Sequence, residues 1–300
     1  IAKTLGEGKH KLANRYFSML IIMTVILGLI LTTIGIVFAR RVSILLGATD
    51  VMLDDCVIYL RTVLLFISPF MLQNVFQSFL VTAQKPHAGL IVTIIAGLTN
   101  MSLDALFIVV FRWGVAGAAL ATGISQCIGG LLPLILFLGK NDSLLHLVPT
   151  RLEWRPFFLS CTNGMSELMG NISSSIVSML YNFQLLNYAG ENGIAAYGVL
   201  MYVQFIFIAV FFGYTIGVGP VIGYHYGAGN HAELKNLLRK SLKLNIITGI
   251  SMTILANLFA GALSQIFVGY DPELYTMTKS AFHIFALSFL VCGINIFASA

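Results

Sequence analysis

Long stretches without a single Asp, Glu, Lys or Arg dominate this chain: residues 16–39, 62–84, 113–139, 192–224, 244–270 and 280–300. Two further stretches, 88–111 and 156–190, each hold one acid, Asp104 and Glu167. A helix rising about 1.5 Å per residue needs roughly 20 apolar residues to cross the hydrocarbon of a bilayer. Eight candidate spans follow. Barrel strands would instead alternate over about 10 residues, which these runs do not do. With 58% hydrophobic and 10% charged residues, against about 25% charged in soluble domains, a water-soluble globule has too little interior to hide the apolar surface. The expected fold class is an all-α membrane protein, a polytopic helix bundle in a lipid bilayer.

The net charge of +5 invites a nucleic-acid reading that its distribution opposes. With the N-terminal segment inside and the spans alternating, the inside segments hold Lys3, Lys9, Lys11, Arg15, Lys85, Lys140, Arg151, Arg155, Lys235, Arg239, Lys240 and Lys243. The outside segments hold Arg40, Arg41, Arg61, Arg112 and Lys279. This is the positive-inside asymmetry of a membrane protein, and no nucleic-acid partner is expected. Cys56, Cys127, Cys161 and Cys292 lack ligand spacing and read as small packing residues, with no metal expected. Ile1 is not a start methionine and the chain closes inside an apolar run, so it reads as a piece of a longer protein.

An internal repeat organises the chain. Gly6-Glu7-Gly8-Lys9-His10 resembles Gly227-Ala228-Gly229-Asn230-His231 at an offset of 221. Each is followed by a basic stretch, a long apolar helix, a glycine (Gly47 or Gly269) and an aspartate (Asp50 or Asp271). Asn74, Phe76 and Ser78 then stand opposite Asn295, Phe297 and Ser299. Three separated blocks sharing one offset imply duplication. The polar segment 140–155 reads as a cytoplasmic linker between a first lobe (1–139) and a second (156–300). The inferred parent has six plus six helices, two pseudo-symmetric lobes both incomplete here. An even number of spans per lobe makes the copies parallel, an arrangement used by secondary transporters with the substrate path between halves. Pro69, Pro133 and Pro220 fall inside spans and can kink them.

Chemistry concentrates on the two acids. A carboxyl at membrane depth is costly unless paired, hydrated or protonated, and marks an ion or proton site by default; desolvation there favours the neutral form. A hydrogen-bonded, permanently protonated acid is the competing structural account. Asn163, Glu167, Asn171, Ser174, Ser178 and Asn182 recur at steps of three and four, one face of a helix. That stripe either glues helices together or lines a wet cavity. Asp104 has only Asn100 one turn before it, and Gln73, Asn74, Gln77 and Ser78 form a further polar patch. Met165, Met169, Met179, Tyr181, Tyr197, Met201, Tyr202 and Phe205 suit lipophilic cations, although ordinary packing accounts equally well for any one of them.

The run Asn100-Met101-Ser102-Leu103-Asp104, then Gly114-Val115-Ala116-Gly117-Ala118-Ala119-Leu120-Ala121-Thr122 and Ser125-Gln126, resembles the signature of the MATE (multidrug and toxic compound extrusion) family. Pro220-Val221-Ile222-Gly223 with Gly227-Ala228-Gly229 is similar to its helix-eight end, and the Gly6 copy to its helix-two end. The resemblance covers helices three to ten of twelve and is closest to the bacterial MepA-like branch. It implies a two-lobed antiporter in a bacterial inner membrane, a monomer, exporting small cationic amphipathic drugs against H+ or Na+ with no other cofactor. By position, Glu167 falls on helix seven, where many members keep a coupling acid, and Asp104 on the helix-five aspartate. Helix ten, which carries an acid in some relatives, here has only His283. Three rivals remain: a lipid-linked oligosaccharide flippase, which needs cavity cations absent from these spans; an intramembrane enzyme, for which no nucleophile or metal motif is present; and a passive channel.

Overall fold

The computed structural model describes residues 1–45, 52–139 and 142–299, with Glu191 described in its backbone alone. Gly47 and Asp50 of the repeat, Lys140 at the head of the expected linker and Ala300 lie outside the described residues. Every regular element among these is helical: α1 Ala2–Gly6, α2 His10–Leu45, α3 Leu53–Leu65, α4 Ile67–Thr82, α5 Pro86–Asp104, α6 Gly114–Leu138, α7 Trp154–Gly227, α8 His231–Val268, α9 Pro272–Phe285 and α10 Phe289–Ser299. A π-helical turn, Ala105–Val110, prolongs α5, and a 3-10 turn, Ala286–Ser288, joins α9 to α10. The chain divides into two compact units, Ile1–Trp154 and Arg155–Ala300.

Six helices are long and apolar enough to cross a membrane: His10–Leu45, Pro86–Val110, Gly114–Leu138, Asn192–Gly227, His231–Val268 and Pro272–Ser299. The pair α3 and α4, bent by 51°, makes a seventh if it is one broken span. The eighth expected span, 156–190, is helical but falls short on apolarity. The Asn, Ser and Glu residues that define its polar stripe are the reason. Across the apolar helices the outward faces are greasy: Ile22, Leu29, Ile34 and Val37 of α2 are exposed, as lipid-facing residues are, since tails solvate apolar side chains as well as a core does.

In the first unit, α2, α4 and α6 pack around an aromatic centre, and α3 packs on α2 through Ala39, Leu53 and Val57. Phe17 meets Phe79 edge-on at 5.1 Å and Phe137 at 5.0 Å, and Phe76 stacks on Phe137 at 5.6 Å. Glycines let backbones approach. A Cβ on Gly28 would lie 2.8 Å from Ser68 Cα, and one on Gly130 3.2 Å from Leu72 Cβ. The segment after α6 does not hang free. Leu145 is fully buried, His146 N–H donates to Asn14 Oδ1 (3.1 Å) and Val148 N–H to Ser18 Oγ (2.8 Å). These bonds strap residues 142–153 across the start of α2.

The duplication read from three sequence blocks extends through the coordinates. α2 starts at His10 and α8 at His231, both 221 apart. Gly8 and Gly229, just ahead of them, both hold left-handed backbone, φ 74° and 67°, which glycine adopts without steric cost. Each long helix is followed by a broken one, at Phe66 in the first unit and at Ala286–Ser288 in the second. Gly249, the mate of Gly28, approaches the second break in the same way: a Cβ there would sit 2.8 Å from Phe289 O. Thr32 Oγ1 donates to Leu64 O (2.8 Å), and its mate Thr253 shares its one hydroxyl proton between Gly249 O of its own helix (2.9 Å) and Ala286 O (3.1 Å). Each threonine hydroxyl thus reaches a carbonyl beside the break. Pro69 lies in the first turn of α4 and removes one N–H there, but its mate is Leu290. The break therefore persists without proline.

Close glycine contacts of this kind tolerate no side chain. Gly249→Leu is expected to cost about 1–3 kcal/mol by overpacking, read as a drop in thermal unfolding temperature in detergent. Gly97→Leu, where a Cβ meets nothing within 4 Å, is expected to stay within about 0.5 kcal/mol of the parent.

Candidate functional site

α7 is two helical arms, 154–189 and 191–227, meeting at Gly190 with φ 61° and ψ −155°. That conformation is essentially confined to glycine. The second arm packs into its unit: Tyr202 stacks on Phe267, Phe207 on Phe289 at 4.9 Å, and Tyr214 Oη donates to Ser241 Oγ at 2.7 Å. The first arm does not. From Phe158 to Val177 every side chain is exposed.

The predicted stripe lies along this first arm. Asn163, Glu167, Asn171, Ser174 and Asn182 are exposed and Ser178 is half-buried. Asn171 Nδ2 donates to Glu167 O at 2.9 Å, turning that amide back onto its own helix. The Glu167 carboxylate has no hydrogen-bond or ion-pair partner among the described residues. Tyr181 and Tyr197 stack their rings at 5.6 Å and 7° across the two arms of α7. They form a flat aromatic wall about four turns beyond Glu167.

The first unit carries the other candidates. Asp104 is the last residue of α5 and is half-buried, at the point where the helix widens into the π-helical turn. Such widened turns recur at functional sites. Asn100, one turn earlier, is also half-buried. Asp104 has no carboxylate partner among the described residues. Asn74 is exposed, and its Nδ2 donates to Phe70 O at 2.8 Å. Its neighbours Gln73 and Gln77 instead face a small, partly open cleft shared with Thr93, Gly89 and Pro133. Thr93 escaped sequence reading because a lone threonine in an apolar run carries no pattern.

Two corrections concern charge. The helix ending in α10 begins at Pro272, earlier than the charge-free run, so Lys279 lies inside a span rather than before it. His283 also belongs to a polar seam that periodicity did not flag: its Nδ1 lies 2.6 Å from Asn257 Oδ1 of α8. Outside the spans, Lys9 Nζ donates to Glu7 Oε2 at 2.8 Å, holding the carboxyl below and the ammonium above their ordinary values. Both are solvent-exposed, so this pair adds little stability. No group of three or more His, Cys, Asp or Glu placed to hold a metal occurs among the described residues.

A duplicated set of membrane-crossing helices, with broken spans and few charges, defines an integral membrane protein. The profile of the family described as MatE matches residues 1–106 and 168–300, and the chain belongs to that family. It is 27% identical over 302 residues to "Multidrug export protein MepA" of Staphylococcus haemolyticus, covering 98% of this chain and 65% of that protein. It is 26% identical over 289 residues to "Probable multidrug resistance protein YoeA" of Bacillus subtilis, covering 92% and 61%. The chain thus spans less than two thirds of the length of these relatives. Its fold matches a structure described as "Crystal structure of MATE in complex with MaL6", with a TM-score of 0.91 at 20% identity over 99% of this chain and 67% of that one. A second, described as an outward-facing conformation of a multidrug resistance MATE family transporter, gives 0.88 at 20% identity over 99% and 69%.

Exposure of the stripe has a direct chemical readout. In a cysteine-free background, Glu167→Cys is expected to react with a membrane-impermeant maleimide at least tenfold faster than Leu98→Cys, an apolar position on α5. Equal rates in membranes would place the stripe against lipid.

Proposed function

We propose that the protein is a cation-coupled multidrug efflux antiporter, a secondary transporter rather than an enzyme, that exports cationic amphipathic compounds by alternating access. Family membership and the likeness to proteins named for multidrug export and resistance support the export of drugs. The observation that carries the coupling is Glu167: an unpaired carboxylate on a polar helix face, in a chain whose other spans are nearly free of charge. A carboxylate and a monocation about 4 Å apart attract by about 4 kcal/mol at an effective dielectric of 20, enough to decide between holding and releasing a drug. Tyr181 and Tyr197, about four turns from Glu167 along the arm, offer a π face to a cation farther along the path.

In this reading, deprotonated Glu167 attracts the cation from the inside, and Asp104 serves as a second coupling acid. A proton, or Na+, then enters from outside and neutralises the carboxylate, which releases the drug. One carboxylate cannot hold both charges at comparable affinity, so the two ligands exclude each other and transport is exchange. Asn163, Asn171, Ser174, Ser178, Asn182, Asn100 and Asn74 line the path. No cofactor beyond the coupling ion is involved. The protein works as a monomer in a bacterial inner membrane, with segments 1–139 and 156–300 serving as the two lobes.

The flippase alternative needs a cationic cavity for pyrophosphate, and Lys279 is its one supporting feature, a single lysine where several are required.

In vesicles with the full-length protein and an imposed pH gradient, Glu167→Gln is expected to lower drug efflux at least tenfold, with Glu167→Asp retaining a measurable part. Asp104→Asn is expected to fall between. Unchanged efflux by Glu167→Gln would remove that residue from the mechanism. An uncoupler is expected to abolish uphill efflux, and replacing Na+ with choline at a fixed pH gradient separates the two coupling ions.

A further inference from the structure

Across the interface of α8 and α9 a line of polar groups runs through what is otherwise an apolar span. Gly249, Thr253, Asn257 and Gly261 follow at steps of four on α8, and Tyr275, Lys279 and His283 do the same on α9. Their bonds have a direction. Asn257 Nδ2 donates to Thr253 O at 2.8 Å. That bond fixes which end of the amide is which, so its oxygen is the atom facing His283 Nδ1 at 2.6 Å. A carbonyl oxygen only accepts. His283 must therefore carry its proton on Nδ1, and in the neutral ring Nε2 is left as a free base. The imidazole is exposed. It lies eleven residues from the start of α9, about 16 Å along the helix, near the middle of a hydrocarbon layer about 30 Å thick. A face bearing Asn257, Lys279 and His283 cannot rest against acyl chains at low cost.

We propose that His283, positioned by Asn257, is a proton-accepting site of the second lobe: Nε2 takes a proton from the outer side and returns it to the inner side as the transporter turns over. Its part in turnover rests on the exchange reading above; its proton binding does not. The balance is simple, one proton added to the Nε2 lone pair with no bond broken and the Nδ1–H···O bond kept in both states. The surroundings favour a group that both binds and releases. On its own helix Lys279 is one turn away, its Nζ 6.0 Å over the Tyr275 ring, and repels the imidazolium. On α8 residues 244–268 hold no titratable group, and on the second arm of α7 residues 192–224 hold only tyrosines. The carboxylates of α8 and α9 lie far along the helices from His283, Glu273 ten residues back on α9 and Glu233 in the first turn of α8.

The test uses the full-length protein in lipid nanodiscs and proteoliposomes. With 15N-labelled histidine, the NMR signal missing from His283→Gln is expected to report the Nδ1–H form at high pH and protonation of Nε2 at lower pH. In Asn257→Ala the Nδ1–H preference is expected to be lost. In proteoliposomes His283→Gln is expected to flatten the external-pH dependence of drug efflux. Asn257→Asp sets a carboxylate against Nδ1 and favours the imidazolium, so it is expected to move that dependence up by about one pH unit. An Nε2–H tautomer in the parent protein, an imidazole that never titrates, or an unchanged pH profile in His283→Gln would each overturn the proposal. Absence of drug movement in every variant, the parent included, would instead overturn the antiport reading, and the NMR arm would still decide the proton site.

Discussion

A backbone that breaks inside hydrocarbon must find new partners for the groups it frees, and this requirement shapes both copies of the repeated unit. At each break a threonine hydroxyl from the preceding long helix reaches a carbonyl beside the break, and a glycine four residues before that threonine brings the backbones together. Thr32 with Gly28 and Thr253 with Gly249 are the same device 221 residues apart. The aromatic centre of the first unit and the polar seam of the second are built around these fixed crossings. Packing between membrane helices gains little from the hydrophobic effect, so close contact and satisfied carbonyls carry more of the specificity here than they would in water.

The same economy explains where polarity is allowed. Along α2, α5 and α6 the polar side chains are few and mostly bond back to their own helix. Thr24 donates to Leu20 O and Thr93 to Gly89 O, which hides their hydroxyls from lipid. The first arm of α7 carries more polarity than those helices. Ser160, Thr162, Asn171 and Ser175 bond back to their own helix, but Glu167 stays exposed with no partner for its carboxylate among the described residues, and the arm falls short of a conventional apolar span. A helix of this kind is stable in a membrane only where water or further protein covers the stripe.

Much of this was legible in the sequence because hydrocarbon imposes simple arithmetic. Charge-free runs gave the helices and their approximate ends, and a constant offset gave the duplication. Asp104 and Glu167 stood out because acids are rare in such runs. Other features were illegible for physical reasons. The break at Phe66 could be suspected from Pro69, but nothing in the run around Ala286 signals one, since that break depends on what faces it. The strap 142–153 looked like a polar linker; its attachment rests on Asn14 and Ser18 of a distant helix, which local composition cannot reveal. His283 and Asn257 are solitary polar residues on different helices, 26 positions apart, and only folding makes them a pair.

The strap also ties two events together. Residues 142–153 are the chain's route into α7, and they are bonded to the first turns of α2 through Asn14, Ser18 and Met19. A tilt of α2 at that end would tug on the segment that leads to the Glu167 arm, without any lever of regular secondary structure between them. The tether is short and mostly backbone-mediated, so its length, more than the chemistry of its side chains, sets how far one end can move before the other must follow.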